Sequence, residues 1–339
     1  MKKINPSVTV VIPAYKAEAT IQRAVNSVLS QEGVKFQIIV VIDGLLDLTS
    51  ERLKNYDPAL VRVITNEENL GAQVSRNKGL LAASGDYVMF LDCDDFIEGP
   101  MLLGLAHKIC EDDADIAFGP MRLLKLSGGR ERPPIHRSFS SADDLFLSWM
   151  GAGRTVGTCS IMWRTSFLRS IGGWNEAVRR NQDGEMVMRS VLRGARFTSS
   201  REGCGVYVIH SSADRITLRP ENFSSSLDVG EMILAMSSDY VGEDVRRTAL
   251  GDYFYRIMLR LYATGHPKLA ARALQRARDL GHGRSEWHRP IAALLGLPFR
   301  FNIIKLHSPL PFARMLLGLA SLLVRHASQS RSIDSRSKV

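Results

Sequence analysis

Cysteine is scarce in this 339-residue chain. Its four, Cys93, Cys110, Cys159 and Cys204, form no CxxC pair and have no histidines at zinc spacing. A disulfide framework and a structural zinc centre are therefore excluded, and a reducing compartment fits. Long apolar runs are lacking too. No window reaches the roughly 18 apolar residues of a spanning helix, and the best stretch, residues 312–324, is broken by Arg314. The N-terminal MKKINPSVTVVIPAYK carries two lysines, but its apolar run is cut by Pro13 and is too short for the core of a signal peptide, so the chain is expected to start at Met1. No GxGxxG follows that first run, which removes the dinucleotide-binding fingerprint. Aromatics make up 7% of the residues and are not interleaved with a basic face, so nucleic acid is not an expected partner.

Charge is present but uneven. The formal net charge is +9, yet residues 241–339 hold 17 Lys and Arg against 6 Asp and Glu, while residues 1–240 are close to balanced. The basic character belongs to the tail, and the change of charge and periodicity near residue 220 marks a domain boundary.

The first part alternates between buried-type strands and amphipathic helices. Residues 8–12 (VTVVI) read as a strand, and Ile21, Ala24, Val25, Val28 and Leu29 repeat as a helical stripe. Strands at 36–42, 61–65 and 87–91 follow, with helices at 48–56 and 73–82 between them. This order predicts an α/β fold: a parallel, nucleotide-binding type of sheet with helices on both faces. Later come a helix at 143–150, a strand at 157–163, a helix at 182–193 and a short strand at 206–210, and helical periodicity dominates from Asp228 onward.

In such sheets ligands bind beyond the carboxyl ends of the strands. The residues there are polar: Pro13-Ala14-Tyr15, Asp43-Gly44, Asn66 to Gly71, and Asp92-Cys93-Asp94-Asp95. Neighbouring carboxylates repel unless a cation is present. Hard oxygen donors suit Mg²⁺ or Mn²⁺, the bland alternative being an Asp-rich turn that only ends a strand.

VVIPAYKAEATIQRAVNSVLSQ, VVIDGLLDLTS, NLGAQVSRNKGLLAASGDYVMFLDCDD and GGWNEAVRRNQDGEMVMR, in this order over residues 8–189, resemble the successive blocks of family 2 glycosyltransferases. The resemblance implies the GT-A fold and inverting sugar transfer from a nucleoside diphosphate. It matches Asp92, Cys93 and Asp94 to the DxD element, which meets the nucleotide sugar, with Asp94 as the direct metal ligand and Asp92 on the ribose or the metal. Asp183 takes the position of the general base, with Glu185 as a competitor and helix capping as a second role. The first acid of the family's usual pair is Gln182 here. Asp43 matches the contact to the nucleotide base, although an Asp before Gly is also a common turn residue. Pro13, Tyr15 and Arg76 match further nucleotide and diphosphate contacts, and Arg76 reads equally as a structural ion-pair partner. His210 resembles a late histidine that approaches the metal in some relatives, but a lone His after a strand is also a common structural residue. Trp174 and Asn175, in GGWNE, fit an acceptor pocket, with core packing as the other reading of the tryptophan.

The implied reaction moves one sugar from a uridine-linked donor to a saccharide or polyprenyl-linked saccharide acceptor in cell-surface polysaccharide biosynthesis. The processive-synthase signature QxxRW is absent. The alternatives are a sugar nucleotidyltransferase, which would need a Gly-rich phosphate loop after the first strand, and a non-catalytic sugar-nucleotide-binding module. Residues 1–220 are expected to form the catalytic domain, with nucleotide-binding (1–112) and acceptor-binding (113–220) halves. Residues 221–339 form a helical, basic region. Its segments IAALLGLPFRFNIIKL and PFARMLLGLASLLVRH combine apolar clusters with cationic flanks, which suits either packing on the core or docking on an anionic leaflet, at about 1 kcal/mol per basic residue. A cytoplasmic enzyme, peripheral at the inner face of the plasma membrane, is expected. Deleting residues 290–339 should lower cosedimentation with anionic liposomes more than it lowers donor affinity; equal liposome binding by the shortened chain would end the docking idea.

Overall fold

The computed structural model describes residues 6–44, 47–125, 133–153, 155–209 and 223–281. His210 and residues 282–339, with both apolar-cationic tail segments, lie outside them. Their contacts group into two compact units. One comprises the described residues within Met1–Ala142, Thr155–Ile216 and Ser238–Tyr240; the other, those within Asp143–Arg154, Thr217–Ser237 and Val241–Val339.

In the first unit the chain runs through β1 (Ser7–Ala14), α1 (Ile21–Leu29), β2 (Lys35–Asp43), α2 (Thr49–Leu53), β3 (Val61–Asn66), α3 (Ala72–Ala82) and β4 (Tyr87–Phe90). It continues through β5 (Phe96–Glu98), α4 (Met101–Glu111), β6 (Ile116–Phe118) and β7 (Met121–Lys125). The second unit contributes α5 (Ala142–Phe146, most of it in this unit) and a π-helical turn, Leu147–Gly151. The first unit then resumes with β8 (Ile161–Arg164), α6 (Thr165–Ser170), α7 (Gln182–Leu192), β9 (Phe197–Ser199) and β10 (Cys204–Ile209). The helices α8 (Phe223–Ala235), α9 (Glu243–Ala263) and α10 (Pro267–Asp279) complete the second.

The main sheet has the order β3-β2-β1-β4-β8-β6-β9. β1 is buried almost along its whole length, as a strand covered on both faces must be. It pairs in parallel with β2 and β4, and β2 pairs in parallel with β3. The expected α/β fold is therefore present, with one correction. The sheet is not wholly parallel, because β8 runs antiparallel to both β4 and β6. A parallel neighbour requires a helical crossover. β8 is instead entered from the short 3-10 turn Thr158–Ser160 after the chain has left the sheet, so it can slot in with reversed direction. A second sheet, β5-β10-β7, stands beside the first in the same unit.

Several elements escape periodicity, among them α4, β6 and β9. Two of these three are strands of three residues, too short for alternation to register. The third, MLLGLAHKICE, is apolar over most of its circumference and so shows no clear stripe.

α3 lies directly on β1. A Cβ at Gly79 would overlap Val11 Cγ1, so only hydrogen at that position allows the approach. The residues one and two turns earlier on α3 are thereby delivered to the carboxyl end of β1. Gly79→Ala is expected to lower stability by about 1–3 kcal/mol through overpacking. That is opposite in sign to the gain of about 1 kcal/mol from Gly→Ala at an unhindered helical position; urea unfolding reads the difference directly.

Candidate active site

The strand order reverses at β1: β2 and β3 lie on one side of it and β4 on the other. The loops leaving β1 and β4 therefore diverge at the sheet's carboxyl edge, where α/β sheets bind ligands. Pro13, next to the last residue of β1, is buried, and Tyr15 follows the strand with 38% of its surface exposed. Asp92 to Asp95 follow β4, tied to β1 by Leu91 N–H, which donates to Val11 O at 3.0 Å.

α3 carries the polar contacts that assemble this edge. Gln73, Arg76 and Asn77 stand at i, i+3 and i+4, on one helical face. Gln73 Nε2 donates to Val178 O. Asn77 Nδ2 donates to Trp174 O at 2.9 Å, and Asn77 Oδ1 accepts from Trp174 N–H at 2.8 Å. Between them Arg76, only 6% exposed, donates through Nη2 to Asp92 Oδ1 at 2.6 Å and through Nη1 to Gln182 Oε1 at 2.8 Å. One guanidinium thus joins the turn after β4 to the start of α7, 106 residues further along the chain than Arg76 itself. The ion-pair reading of Arg76 holds, with Asp92 as its carboxylate partner.

Asp183 lies in the first turn of α7, next to Gln182. The turn is entered through Asn181 in the left-handed region (φ 60°), a conformation that Asn tolerates. Gly184 leaves room for the Asn181 side chain, since a Cβ there would overlap Asn181 Oδ1. Asp183 is half-buried. Burial holds its carboxyl above the usual carboxylate range, opposed by the Gly184 N–H and the Arg76 charge and reinforced by Asp92. The capping reading survives in part, because Asp183 accepts a first-turn N–H although Asn181 occupies the cap position. Glu185 is a different case. It is 2% exposed and bound through both oxygens by Arg189, at 2.6 and 3.1 Å. Arg189 also bonds Ile171 O and Gly173 O, so Glu185 serves to anchor α7.

The turn after β4 concentrates negative charge. Asp92 and Asp94 are half-buried, and the Asp94 backbone carbonyl accepts from Arg23 Nη2 at 2.6 Å. Burial, then Asp94 and Asp92, push the Cys93 thiol up to about 12, so its sulfur is a neutral thiol beside the Tyr15 backbone. Asp95 is 1% exposed. Its Oδ1 accepts Val208 N–H of β10 at 2.8 Å, and burial, then Asp92 and Asp94, raise its pKa well above the ordinary value. Among the described residues no three His, Cys, Asp or Glu side chains converge into a closed metal cage.

Asp43, at the end of β2, is 3% exposed and accepts three hydrogen bonds: Asn66 Nδ2 at 2.9 Å, Leu70 N–H at 2.9 Å and Gly71 N–H at 2.8 Å. It shapes the loop between β3 and α3. A carboxylate has about four acceptor sites, so one remains. Trp174 requires a correction. It is 2% exposed, its ring packs edge-on against Phe90 (5.1 Å between centroids) and Trp163 (6.5 Å), and the Arg76 guanidinium lies 4.5 Å from its centre. The packed environment leaves no ring face for a sugar, and the core reading holds. Asn175 forms a turn, its Oδ1 accepting Ala177 N–H at 3.0 Å.

Gln73, Asn77, Arg23 and Asp95 were not singled out from the sequence. For the first two a signal existed: amides at helical spacing with Arg76 on a helix covering a sheet. Asp95 and Arg23 act through contacts between distant segments, which spacing does not display.

The acidic and basic side chains gather at the topological switch point of an α/β sheet, the place where such sheets bind ligands. The model described as Glycosyl transferase family 2 matches residues 9–170. The succinoglycan biosynthesis protein ExoO of Rhizobium meliloti (strain 1021) is 34% identical over 237 residues, covering 68% of each chain. Glycosyltransferase GlyA of Streptococcus pneumoniae serotype 4 is 36% identical over 117 residues, 34% of this chain and 17% of GlyA. The chain thus spans about two thirds of one such relative and under a fifth of the other. The crystal structure of S. aureus TarS residues 1-349 in complex with UDP-GlcNAc superposes with a TM-score of 0.60 at 18% identity, covering 88% of this chain and 95% of that one. That likeness shows the GT-A fold. The chain belongs to the family 2 glycosyltransferases.

Because folding raises the Asp183 pKa, its ionised form costs stability at pH values above that raised pKa, and the cost vanishes below the unfolded value near 3.8. Asp183→Asn is therefore expected to keep or raise the melting temperature at pH 7, with the gain shrinking towards pH 4. Thermal unfolding at the two pH values checks the sign; a lower melting temperature at pH 7 would contradict it.

Proposed function

We propose that the protein transfers a single sugar from a nucleoside-diphosphate sugar, uridine-linked, to a hydroxyl of a saccharide or lipid-linked saccharide, with inversion at the anomeric carbon. The setting is cell-surface polysaccharide biosynthesis, to which the named role of ExoO lends support. The observation that carries this reading is the Arg76 bridge, which brings Asp92 of the β4 turn and the start of the Asp183 helix to one side chain.

In this reaction the Asp183 carboxylate takes the acceptor's hydroxyl proton while that oxygen bonds to the anomeric carbon. The bond from that carbon to the diphosphate breaks, and its electron pair leaves with the nucleoside diphosphate. With Glu185 held by Arg189, Asp183 is the carboxylate of the first turn of α7 left for this task. No second carboxylate is needed as nucleophile, which fits inversion. Burial raises the proton affinity of the base above that of an ordinary carboxylate, which favours proton uptake from the acceptor.

Mg²⁺ or Mn²⁺ fits the donor set. Two hard carboxylates, Asp92 and Asp94, flank a neutral thiol, and their charge is strong enough to disturb both Cys93 and Asp95. Asp94 would hold the ion, with Asp92 beside it and His210 a further candidate. An open set of one or two carboxylates completed by substrate phosphates is the usual mode for Mg²⁺. When bound, the cation neutralises charge growing on the departing diphosphate. Arg76 adds positive charge at the same place, and Tyr15, Pro13 and the remaining acceptor site of Asp43 face the nucleotide in this reading. Asn175 shapes the loop on the acceptor side. The catalytic part is residues 1–220, and the basic region 221–339 docks on an anionic membrane face. No described helix is long and apolar enough to cross a membrane.

Incubating the protein with a panel of nucleotide sugars, with and without Mn²⁺, should release nucleoside diphosphate from one of them in a metal-dependent way. Pyrophosphate release from a nucleoside triphosphate, or binding without turnover even when acceptor is supplied, would overturn the reading. Asp183→Asn should lower kcat by a factor on the order of 10² or more while donor affinity is kept. The acid limb of kcat/KM should lie above the ordinary carboxylate range, since the base works only when ionised. Asp94→Ala should weaken metal-dependent donor binding; unchanged binding would remove Asp94 from the site.

A further inference from the structure

Two arginines meet α7, and they are treated differently. Arg189 is matched by a carboxylate through two bonds, from Glu185. Arg76 hydrogen-bonds on the same helix only to the neutral amide oxygen of Gln182, at 2.8 Å, while the Asp183 carboxylate lies near enough to feel its charge without pairing with it. The orientation of that amide is fixed from its other end, where Gln182 Nε2 donates to Arg179 O at 3.3 Å. The carboxylate within ion-pair distance of Arg76 is Asp92, on the β4 turn. Arg76 Nε is buried and has no hydrogen-bond partner among the described residues. A buried guanidinium with five donors and one carboxylate partner retains both charge and a donor for something else.

We propose that Gln182 is a positioning residue that holds Arg76 through a neutral bond, so that the guanidinium charge is shared between Asp92 and the donor's diphosphate instead of being taken up by a second ion pair at position 182. This inference rests on the transferase reading of the site. The physical logic is a difference between two kinds of bond. A carboxylate at position 182 would form a charge-assisted and stronger pair with Arg76, roughly twice the strength of a neutral hydrogen bond. It would also place a second anion where an anionic ligand arrives. The amide keeps the direction of Arg76 without adding that anion. The trio of Asp92, Arg76 and Gln182 then links occupancy of the donor side to the placement of the first turn of α7, where Asp183 stands.

The test has a ligand-free arm and a ligand arm. In the ligand-free arm, Asp92→Asn removes the carboxylate partner of a buried arginine and should lower the melting temperature by about 5 °C or more. Gln182→Glu added to Asp92→Asn should restore most of that loss by supplying a new partner, a coupling that a double-mutant cycle isolates. In the ligand arm, Gln182→Glu alone should weaken binding of UDP and of the UDP-sugar substrate, in Mn²⁺ and by calorimetry, about tenfold. Its melting temperature should equal or exceed that of the wild type. Failure of Gln182→Glu to restore the Asp92→Asn variant would show that position 182 does not act on Arg76. Wild-type donor affinity in Gln182→Glu would show that a neutral residue there is of no consequence to the ligand. Either result overturns the proposal. If restoration is seen but the wild type binds no nucleotide sugar, the transferase reading falls while the anchoring of Arg76 by Gln182 stands.

Discussion

A guanidinium cannot be left alone in a protein interior: desolvating a full charge without partners costs several kcal/mol. Arg76, 6% exposed, meets this constraint by recruiting Asp92 from one segment and Gln182 from another, with the Trp174 ring beneath it. Much of the candidate site can be understood as the means of placing that one cation. Gly79 lets α3 sit on β1, so that Arg76 reaches the end of the sheet. Gln73 and Asn77 hold the 174–178 segment against the same helix, and Arg189 secures the far end of α7. The acidic turn after β4 is pinned from behind by Arg23 and by the bond from Val208 to Asp95.

The arrangement also explains why two carboxylates two residues apart in one helix differ so much. Asp183, in the first turn, is half-buried and lies within the field of Arg76 and Asp92. Glu185 points into the unit and is neutralised by an arginine one helical turn later. Both were candidates for the same task, and only their surroundings separate them. Burial without a dedicated counter-ion raises the proton affinity of Asp183, whereas a doubly bonded ion pair removes Glu185 from chemistry.

Much of the first half of the fold was legible because its signals are local. Buried β-branched runs mark β1, β2 and β4, and the stripe from Ile21 to Val28 marks α1. Polar residues beyond strand ends, and the ordered blocks resembling family 2 enzymes, pointed to Asp92, Asp94, Asp183 and Arg76. What was not legible depends on pairing between distant segments: the reversed direction of β8, the three-residue strands β6 and β9, and the bond from Asp95 to β10. Trp174 illustrates a second kind of loss. An aromatic in a loop motif fits an acceptor pocket as readily as a core, and only Phe90 and Trp163, brought from two different strands to enclose it, decide for the core. Asp43 lies between the cases, since its position was foreseen and its three backbone-shaping bonds were not.

The reversed strand has a consequence for how the molecule is made. β4 borders the early half of the sheet, and its open side is covered only by Ile161–Arg164. On a ribosome the four parallel strands emerge first, and until β8 arrives the nascent chain presents YVMF, a short and wholly apolar segment, with one row of unpaired backbone groups. Such a bare edge invites pairing with other chains. Premature termination before residue 161 would thus leave a sticky fragment, and chaperone holding during that interval would protect yield more than any change in the finished protein's stability.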